Sequence, residues 1–381
     1  MQIVVGGDVF VGGDAQQHPS GVQIISKTYA NADLRIVNLE HPLSDHPEYE
    51  NKGVLFASIK ANKILKNLRI DAVNLANNHI HDKTKAGIQD TFVCLERVDI
   101  GHFGAGMSLD SAKRPHWITD SLCIMGYCVQ GKPTLTKVGV ATATDAGVNL
   151  CTYKEIEHDL DLLPEGMRAI IYCHWGREHV WCASEYVIDL AKQLLNHERV
   201  VLVVGSHPHL VQGIIRRNGK CAYLSLGNFL FSNFYIAPPT QLVYPDDTPN
   251  ALTTRKYHCV RALTYKKWPW WNRIALLVNY DAQSGKSSYA ITMQDDNHPV
   301  VTELDGVSAL LVKGWVETLT WIYTLPYPIY SGLQKCNGLW VTGTWFVGIN
   351  LFYIRQKGVK WFVLKLWKTG KRSLKKCGAT K

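Results

Sequence analysis

Short runs of apolar, largely β-branched residues recur along most of the chain, each bounded by glycine, asparagine or a charged residue. Ile3–Gly6, Leu34–Asn38, Ile70–Leu75, Ala169–Cys173, Val200–Val204 and Ala222–Leu226 read as buried strands. Between them, Ile59–Asn67, Ala86–Val98 and Ser184–Asn196 carry apolar residues three and four apart, the period of helices that cover a sheet. Further on, Arg273–Tyr280 and Ser287–Met293 read as antiparallel strands joined by the turn Asp281–Lys286. Strands interleaved with helices in this way predict an α/β architecture of layered sheets with helices outside. No internal repeat or low-complexity stretch interrupts the pattern.

The character of the chain changes near residue 305, where acids become rare and Trp, Tyr, Phe and Lys accumulate. A boundary there divides the 381 residues into a catalytic domain, 1–305, and a C-terminal aromatic and basic region, 306–381. The net charge of +9 is concentrated in the same region, because Arg355–Lys381 holds ten Lys/Arg and no acid. The remainder is close to neutral, which argues against specific nucleic-acid binding by the whole molecule. The ten cysteines form no C-x-x-C pair and several sit in apolar runs, so buried free thiols of a reducing compartment are expected rather than disulfides or a zinc knuckle. Met1–Asp8 already reads as a first strand and not as a signal peptide, which points to a cytoplasmic location.

The chemistry-bearing residues fall in a consistent place: the carboxyl ends of the expected strands. The endings are Gly6-Gly7-Asp8, Asn38-Leu39-Glu40, Asn77-Asn78-His79, His174-Trp175-Gly176 and His207-Pro208-His209. Each alone is weak evidence, since Gly-Asp is commonly a turn, Glu40 can cap a loop, and an isolated His174 is more often a core histidine. Five such endings in series converge on one crevice, where open α/β sheets bind ligands. Asp8, Glu40, Asn78, His174, His207 and His209 offer carboxylate, amide and imidazole donors. That mixture suits two divalent ions such as Mn, Zn or Fe, which activate water for hydrolysis. His79 then reads as the catalytic proton donor, with Asp82 or His81 orienting its ring; alternatively both are solvent-facing residues at a helix start. Glu178 is either a supporting partner of the site or a surface glutamate, and Asn228 is expected to shape the loop behind it.

The series G-D, N-L-E, A-N-N-H, H-W-G, G-S-H-P-H and S-L-G-N-F resembles the CapA family of poly-γ-glutamate and capsule-synthesis proteins. That family lies within the calcineurin-like metallophosphoesterase superfamily. The likeness spans residues 1–235 and takes in H-P-L-S-D after Glu40 and G-A-G at Gly104–Gly106. It implies a four-layered α/β/β/α metallophosphoesterase-like sandwich with a C-terminal appendage. It also implies that Asp8 and His209 hold one ion and Asn78, His174 and His207 the other, with Glu40 at the bridging position. One departure stands out: phosphoesterases open with D-x-H, whereas the residue two after Asp8 is Phe10.

These residues support two functions. The first is a metal-dependent hydrolase acting on a phosphoester, or on an amide or ester link, in an anionic polymer precursor. The alternative is a non-catalytic assembly component of a capsule or polyglutamate synthesis complex. Ser232–Asn272 reads as an irregular lid that presents Arg255, Lys256, Arg261 and Lys266 to an anionic substrate, or else as a solvated loop. In the C-terminal region, Val359, Phe362, Val363, Leu366 and Trp367 recur at helical spacing among lysines, the pattern of a basic amphipathic helix on an anionic membrane surface. Cys336–Ile354 approaches spanning length, but Asn337, Thr342, Thr344 and Asn350 make it a poor transmembrane helix. Docking on the catalytic domain, or an oligomer interface, would also account for its aromatics.

Overall fold

The computed structural model describes residues 1–50, 54–131, 138–237, 241–243 and 264–344, with isolated helical positions from 346 to 360. Packing divides the chain into two units, Met1–Pro326 and Tyr327–Lys381.

Two β-sheets dominate the first unit. Six of their strands carry or position the candidate ligands: β1 (Gln2–Phe10), β2 (Leu34–Leu39), β3 (Ala72–Asn74), β4 (Arg168–His174), β5 (Val200–Ser206) and β6 (Asn228–Phe231). The larger sheet places β2 between β1 and β3, all parallel, with β6 also parallel to β1. On the far side of β1 lies the antiparallel hairpin Ile274–Asp281 and Lys286–Gln294, which turns at Gly285, φ 70°. The second sheet pairs β4 with β5 and with Leu122–Cys128, all parallel.

The apolar core lies between the sheets. Ile3, Val5, Ile36 and Ala72 of the first sheet pack with Ile124, Ile170, Tyr172, Leu202 and Val204 of the second. The Tyr172 hydroxyl donates 2.8 Å to the Gly6 carbonyl, tying the sheets together where both strands approach the site. Helices cover the outer faces. Glu185–Asn196 buries Val187, Ile188, Ala191, Leu194 and Leu195 against the second sheet, and Thr84–Glu96 packs beside Gly101–Phe103 on the first. The α/β sandwich of two sheets between helices is therefore as expected from the pattern.

Three expectations shift. Ala222–Leu226 is not one strand: Lys220–Tyr223 belongs to the second sheet, and the chain crosses over Leu224–Gly227 to enter the first as β6. Gly227 turns this crossover at φ 74°, a backbone conformation that side chains other than glycine's resist. Secondly, the expected lid is in part a small antiparallel sheet of Phe234–Ala237, Gln241–Val243 and Thr264–Lys266; Arg255, Lys256 and Arg261 lie outside the described residues. Thirdly, the compact unit runs past residue 305 to Pro326. The helix Gly306–Ile322 belongs with it because Val316 and Leu319 are buried, and because Thr320 Oγ1 accepts the Ile214 N–H at 2.9 Å.

In the second unit, residues 327–344 are helical. Among the described residues no helix is long and apolar enough to cross a membrane. The amphipathic run expected around Val359, Phe362, Val363, Leu366 and Trp367 lies almost wholly outside the described residues. The described cysteines are thiols rather than disulfides, and Cys94, Cys123, Cys128, Cys151, Cys173 and Cys182 are buried.

Candidate metal centre

The carboxyl ends of β1, β2, β4 and β5 meet where the two sheets come together, and the expected ligands gather there. Glu40, His174 and His207 can each offer a donor atom to one cluster; Asp8, Glu40 and His209 can do so to a second. In both clusters the donor atoms lie within 4.8 Å of one another, and all these residues are buried. Glu40 is common to the two.

Strand register explains how residues so distant in sequence arrive together. Asn228, Asp8, Asn38 and Asn74 form one row across β6, β1, β2 and β3. Along that row the Asn38 amide donates 2.8 Å to Asp8 Oδ1, and the Asn74 amide donates 2.9 Å to Asn38 Oδ1. One carboxylate oxygen of Asp8 is thereby fixed, and the other, Oδ2, faces His209 Nδ1 at 3.4 Å. A side chain at Gly7 would overlap the Gly227 carbonyl, so only glycine lets β1 approach the crossover this closely. Beyond β5 the backbone is strained: His207 has φ 95° and His209 φ 55°. That turn directs the His207 N–H toward Asp8 Oδ2 at 3.3 Å.

On the other side, His174 Nε2 lies 2.9 Å from Asn78 Oδ1 and 3.5 Å from Glu40 Oε1. Its second nitrogen, Nδ1, is 2.9 Å from Ser206 Oγ, which orients the ring. Glu40 Oε2 faces His209 Nδ1 at 3.8 Å.

The electrostatics fit a cation. Neither Glu40 oxygen has a hydrogen-bond partner among the described residues. Burial, and then the Asp8 charge beside it, push the Glu40 carboxyl well above the usual carboxylate range. Burial and the neighbouring imidazoles of His209, His79 and His179 hold His207 well below the usual histidine range. His207 is thus neutral, the form that ligates metal, and burial opposes ionisation of Glu40 unless a cation sits beside it. The donor set suits divalent ions of intermediate hardness.

His79 and Asp82 form a pair: Nδ1 lies 2.6 Å from Asp82 Oδ2, which also accepts the Leu55 N–H at 2.6 Å. Asp82 is fully buried, so it is not a solvent-facing helix-start residue. His81 turns away, to Ala146 O at 3.1 Å and Glu50 Oε1 at 3.5 Å.

Three residues at the site, His41, Trp268 and His179, went unread in the sequence, and they stand beside three that were read, Lys266, Glu178 and Asn228. His41 packs edge-on against Phe10 at 5.0 Å, and burial pushes it down to about 3, so it stays neutral. Its position directly after Glu40 was the available signal. Trp268 lies 5.3 Å from the His209 ring and carries Lys266 Nζ 4.2 Å above its own ring. Burial lowers the Lys266 ammonium, while the charges of Glu178 and Glu40 oppose that shift. Glu178 is therefore close enough to act electrostatically on both. His179, at φ 61°, lies 5.8 Å from the His209 ring. Asn228 sits beside His209, not merely behind the loop, with Oδ1 2.8 Å from Nδ1.

The family model described as "Bacterial capsule synthesis protein PGA_cap" matches residues 2–233, the stretch that supplies every residue of the two clusters. The "PGA biosynthesis protein CapA" of Bacillus subtilis (strain 168) is 27% identical over 222 residues, 55% of this chain and 56% of that protein. The "Capsule biosynthesis protein CapA" of Bacillus anthracis is 27% identical over 228 residues, covering 54% of this chain and 52% of its own length. The chain thus spans about half the length of the curated relatives it matches.

Proposed function

This chain belongs to the bacterial capsule synthesis protein family PGA_cap, and from that premise we propose that it is a metal-dependent hydrolase acting in capsule or poly-γ-glutamate formation. The observation that carries the reading is Glu40. A fully buried carboxylate without hydrogen bonds, aimed by one oxygen at His174 and by the other at His209, is what a bridging ligand between two cations requires. Asp8, Glu40 and His209 would hold one ion, and Glu40, Asn78, His174 and His207 the other. Two divalent ions so held lower the pKa of a water and neutralise charge developing on a phosphoryl or carbonyl oxygen.

The remaining work falls to the protein. With Nδ1–H donating to Asp82, the His79 ring is held in one orientation, and when the ring is protonated on both nitrogens the Nε2–H is the proton it can deliver to a leaving group. The Leu55 N–H holds Asp82 in turn. Lys266, stacked on Trp268 and within reach of the Glu40 and Glu178 charges, supplies positive potential for an anionic substrate such as a phosphorylated or carboxylate-rich polymer precursor.

A second reading, a binding component of a synthesis complex without turnover, is favoured by one feature. Phe10 occupies the position where phosphoesterases carry a ligating histidine, and it packs on His41 and Phe231 instead. Hydrolysis of an aryl phosphate in the presence of Mn or Zn, with the metal content of the same sample, separates the readings. Turnover that vanishes in Asp8→Ala supports the enzyme; bound metal without turnover supports the assembly role.

For the place of action we propose an anionic membrane surface. The helix at 327–344 exposes Ile329, Leu333, Leu339 and Trp340, and the sequence beyond it carries ten Lys/Arg from Arg355 to Lys381.

A further inference from the structure

We propose that Asn228 is itself a metal ligand, completing the Asp8 side of the centre in place of the histidine that Phe10 displaces. The inference rests on the two-ion reading above and extends it to a residue outside the expected set.

Three observations support it. The first is register. Asn228 pairs directly with Asp8 across parallel strands, so the two side chains stand next to each other on one face. Asn228 is 1% exposed, and it follows directly on the turn at Gly227 by which the chain enters the first sheet.

The second is the spacing of donor atoms. His209 Nδ1 lies 2.8 Å from Asn228 Oδ1, 3.4 Å from Asp8 Oδ2 and 3.8 Å from Glu40 Oε2. Donors sharing one ion at about 2.0–2.2 Å stand roughly 3–3.5 Å apart, a range that the Asp8 separation meets and that the Asn228 and Glu40 separations bracket.

The third is a correspondence between the two sides. On the His174 side, the imidazole nitrogen that faces Glu40 Oε1 at 3.5 Å also faces an amide oxygen, Asn78 Oδ1, at 2.9 Å. On the His209 side, the nitrogen that faces Glu40 Oε2 faces Asn228 Oδ1 in the same way. The two imidazoles differ in one respect. His174 is oriented through its outward nitrogen by Ser206, whereas the single contact of Asn228 is to the inward nitrogen of His209, the one aimed at the carboxylates. An orienting partner would hold the outward nitrogen; a fellow ligand would share the inward one. Each side then has a Glu40 oxygen, an imidazole and an amide oxygen. Asp8 is added on one side and His207 on the other.

The test uses the full chain with Mn(II). Calorimetric titration of the native protein should give two ions per chain. Asn228→Ala should keep one ion at native affinity and weaken the other by about 10–100-fold or more. Asn228→Asp, which preserves shape and supplies a harder oxygen, should bind two ions at least as tightly as the native protein, and it guards against a folding defect in the alanine variant. The Asn228→Ala, His207→Ala double variant should weaken both ions, because each change acts on a different side. Anomalous diffraction from Mn-soaked crystals should place Asn228 Oδ1 within about 2.0–2.4 Å of one ion. Two ions with that oxygen beyond about 3 Å, or an Asn228→Ala protein that binds both at native affinity, would overturn the assignment and leave the two-ion reading intact. A native protein that binds no Mn would instead remove the reading on which the assignment rests.

Discussion

The strand ends of the first unit and the helix beyond Pro326 reverse the ordinary distribution of polarity in opposite senses. At the strand ends, charge is buried: Asp8 and Glu40 are 0% exposed. Along 327–344, apolar surface is uncovered: Leu339 is 71% and Trp340 65% exposed. Each reversal is costly unless something outside the chain relieves it. A buried carboxylate without hydrogen bonds calls for a cation, and an uncovered aromatic face calls for an apolar or interfacial surface. The difference lies in specificity. Carboxylate and imidazole donors gathered within 4.8 Å of one another narrow the possible occupant to a cation, whereas exposed Leu and Trp define only a kind of surface.

The comparison can be broken most decisively at the buried end. Glu40→Gln removes the charge common to both clusters, so it should lose both ions and reduce metal-dependent turnover by about 10³-fold or more. Elemental analysis and aryl phosphate hydrolysis read it, and a variant that retains two ions would show that Glu40 does not bridge. Next in size is His79→Ala, expected to lose about 10²–10⁴ in turnover while keeping its metal; Asp82→Asn should fall in the same direction by less. Loss of metal from the His79 variant would make that residue a ligand.

A pH experiment sharpens the claim that burial opposes ionisation of Glu40 in the stripped centre. A carboxyl whose folded pKa is raised adds stability that is complete below its unfolded value near 4.5, and this is lost as pH rises through the folded value. His207, with its pKa lowered, acts in the opposite sense, but only as pH falls below its ordinary value of 6.5. Above that value the opposing His207 contribution is gone. Chelator-treated native protein should therefore melt lower at pH 8 than at pH 6.5, and Glu40→Gln should flatten that fall. Equal slopes in the two proteins would exclude Glu40 as its source.

The smallest effects separate covered from uncovered apolar residues. Leu319→Ala, in the helix Gly306–Ile322, should cost about 2–5 kcal/mol. Leu339→Glu with Trp340→Glu should leave the melting temperature unchanged and diminish co-sedimentation with phosphatidylglycerol vesicles at low salt. Unaltered sedimentation would exclude that face as the membrane contact.

Much of this was readable from the sequence because strand ends are local features. An apolar run followed by Gly-Gly-Asp or Ser-His-Pro-His marks both the strand and a candidate ligand, and such endings named Asp8, Glu40, His174, His207 and His209, which the structure brings together in two clusters. What escaped depends on pairing between segments far apart in the chain. Nothing near Asn228 reveals that it stands beside Asp8, or that Glu40 points one oxygen each way. The crossover at Gly227 was hidden because Ala222–Leu226 is apolar almost throughout, although the strand ends at Tyr223 and the next begins at Asn228 in the other sheet. The boundary moved from 305 to 326 for a similar reason. Composition registers the loss of acids, but only packing shows that Val316 and Leu319 belong to the first core.

The most direct test of the central claim is paired metal analysis and turnover of the full chain. Protein stripped with chelator and reloaded with Mn should hold two ions and hydrolyse an aryl phosphate, while Asp8→Ala, treated alongside it, should do neither. A native protein that takes up no ion and shows no turnover with Mn, Zn or Fe would contradict it.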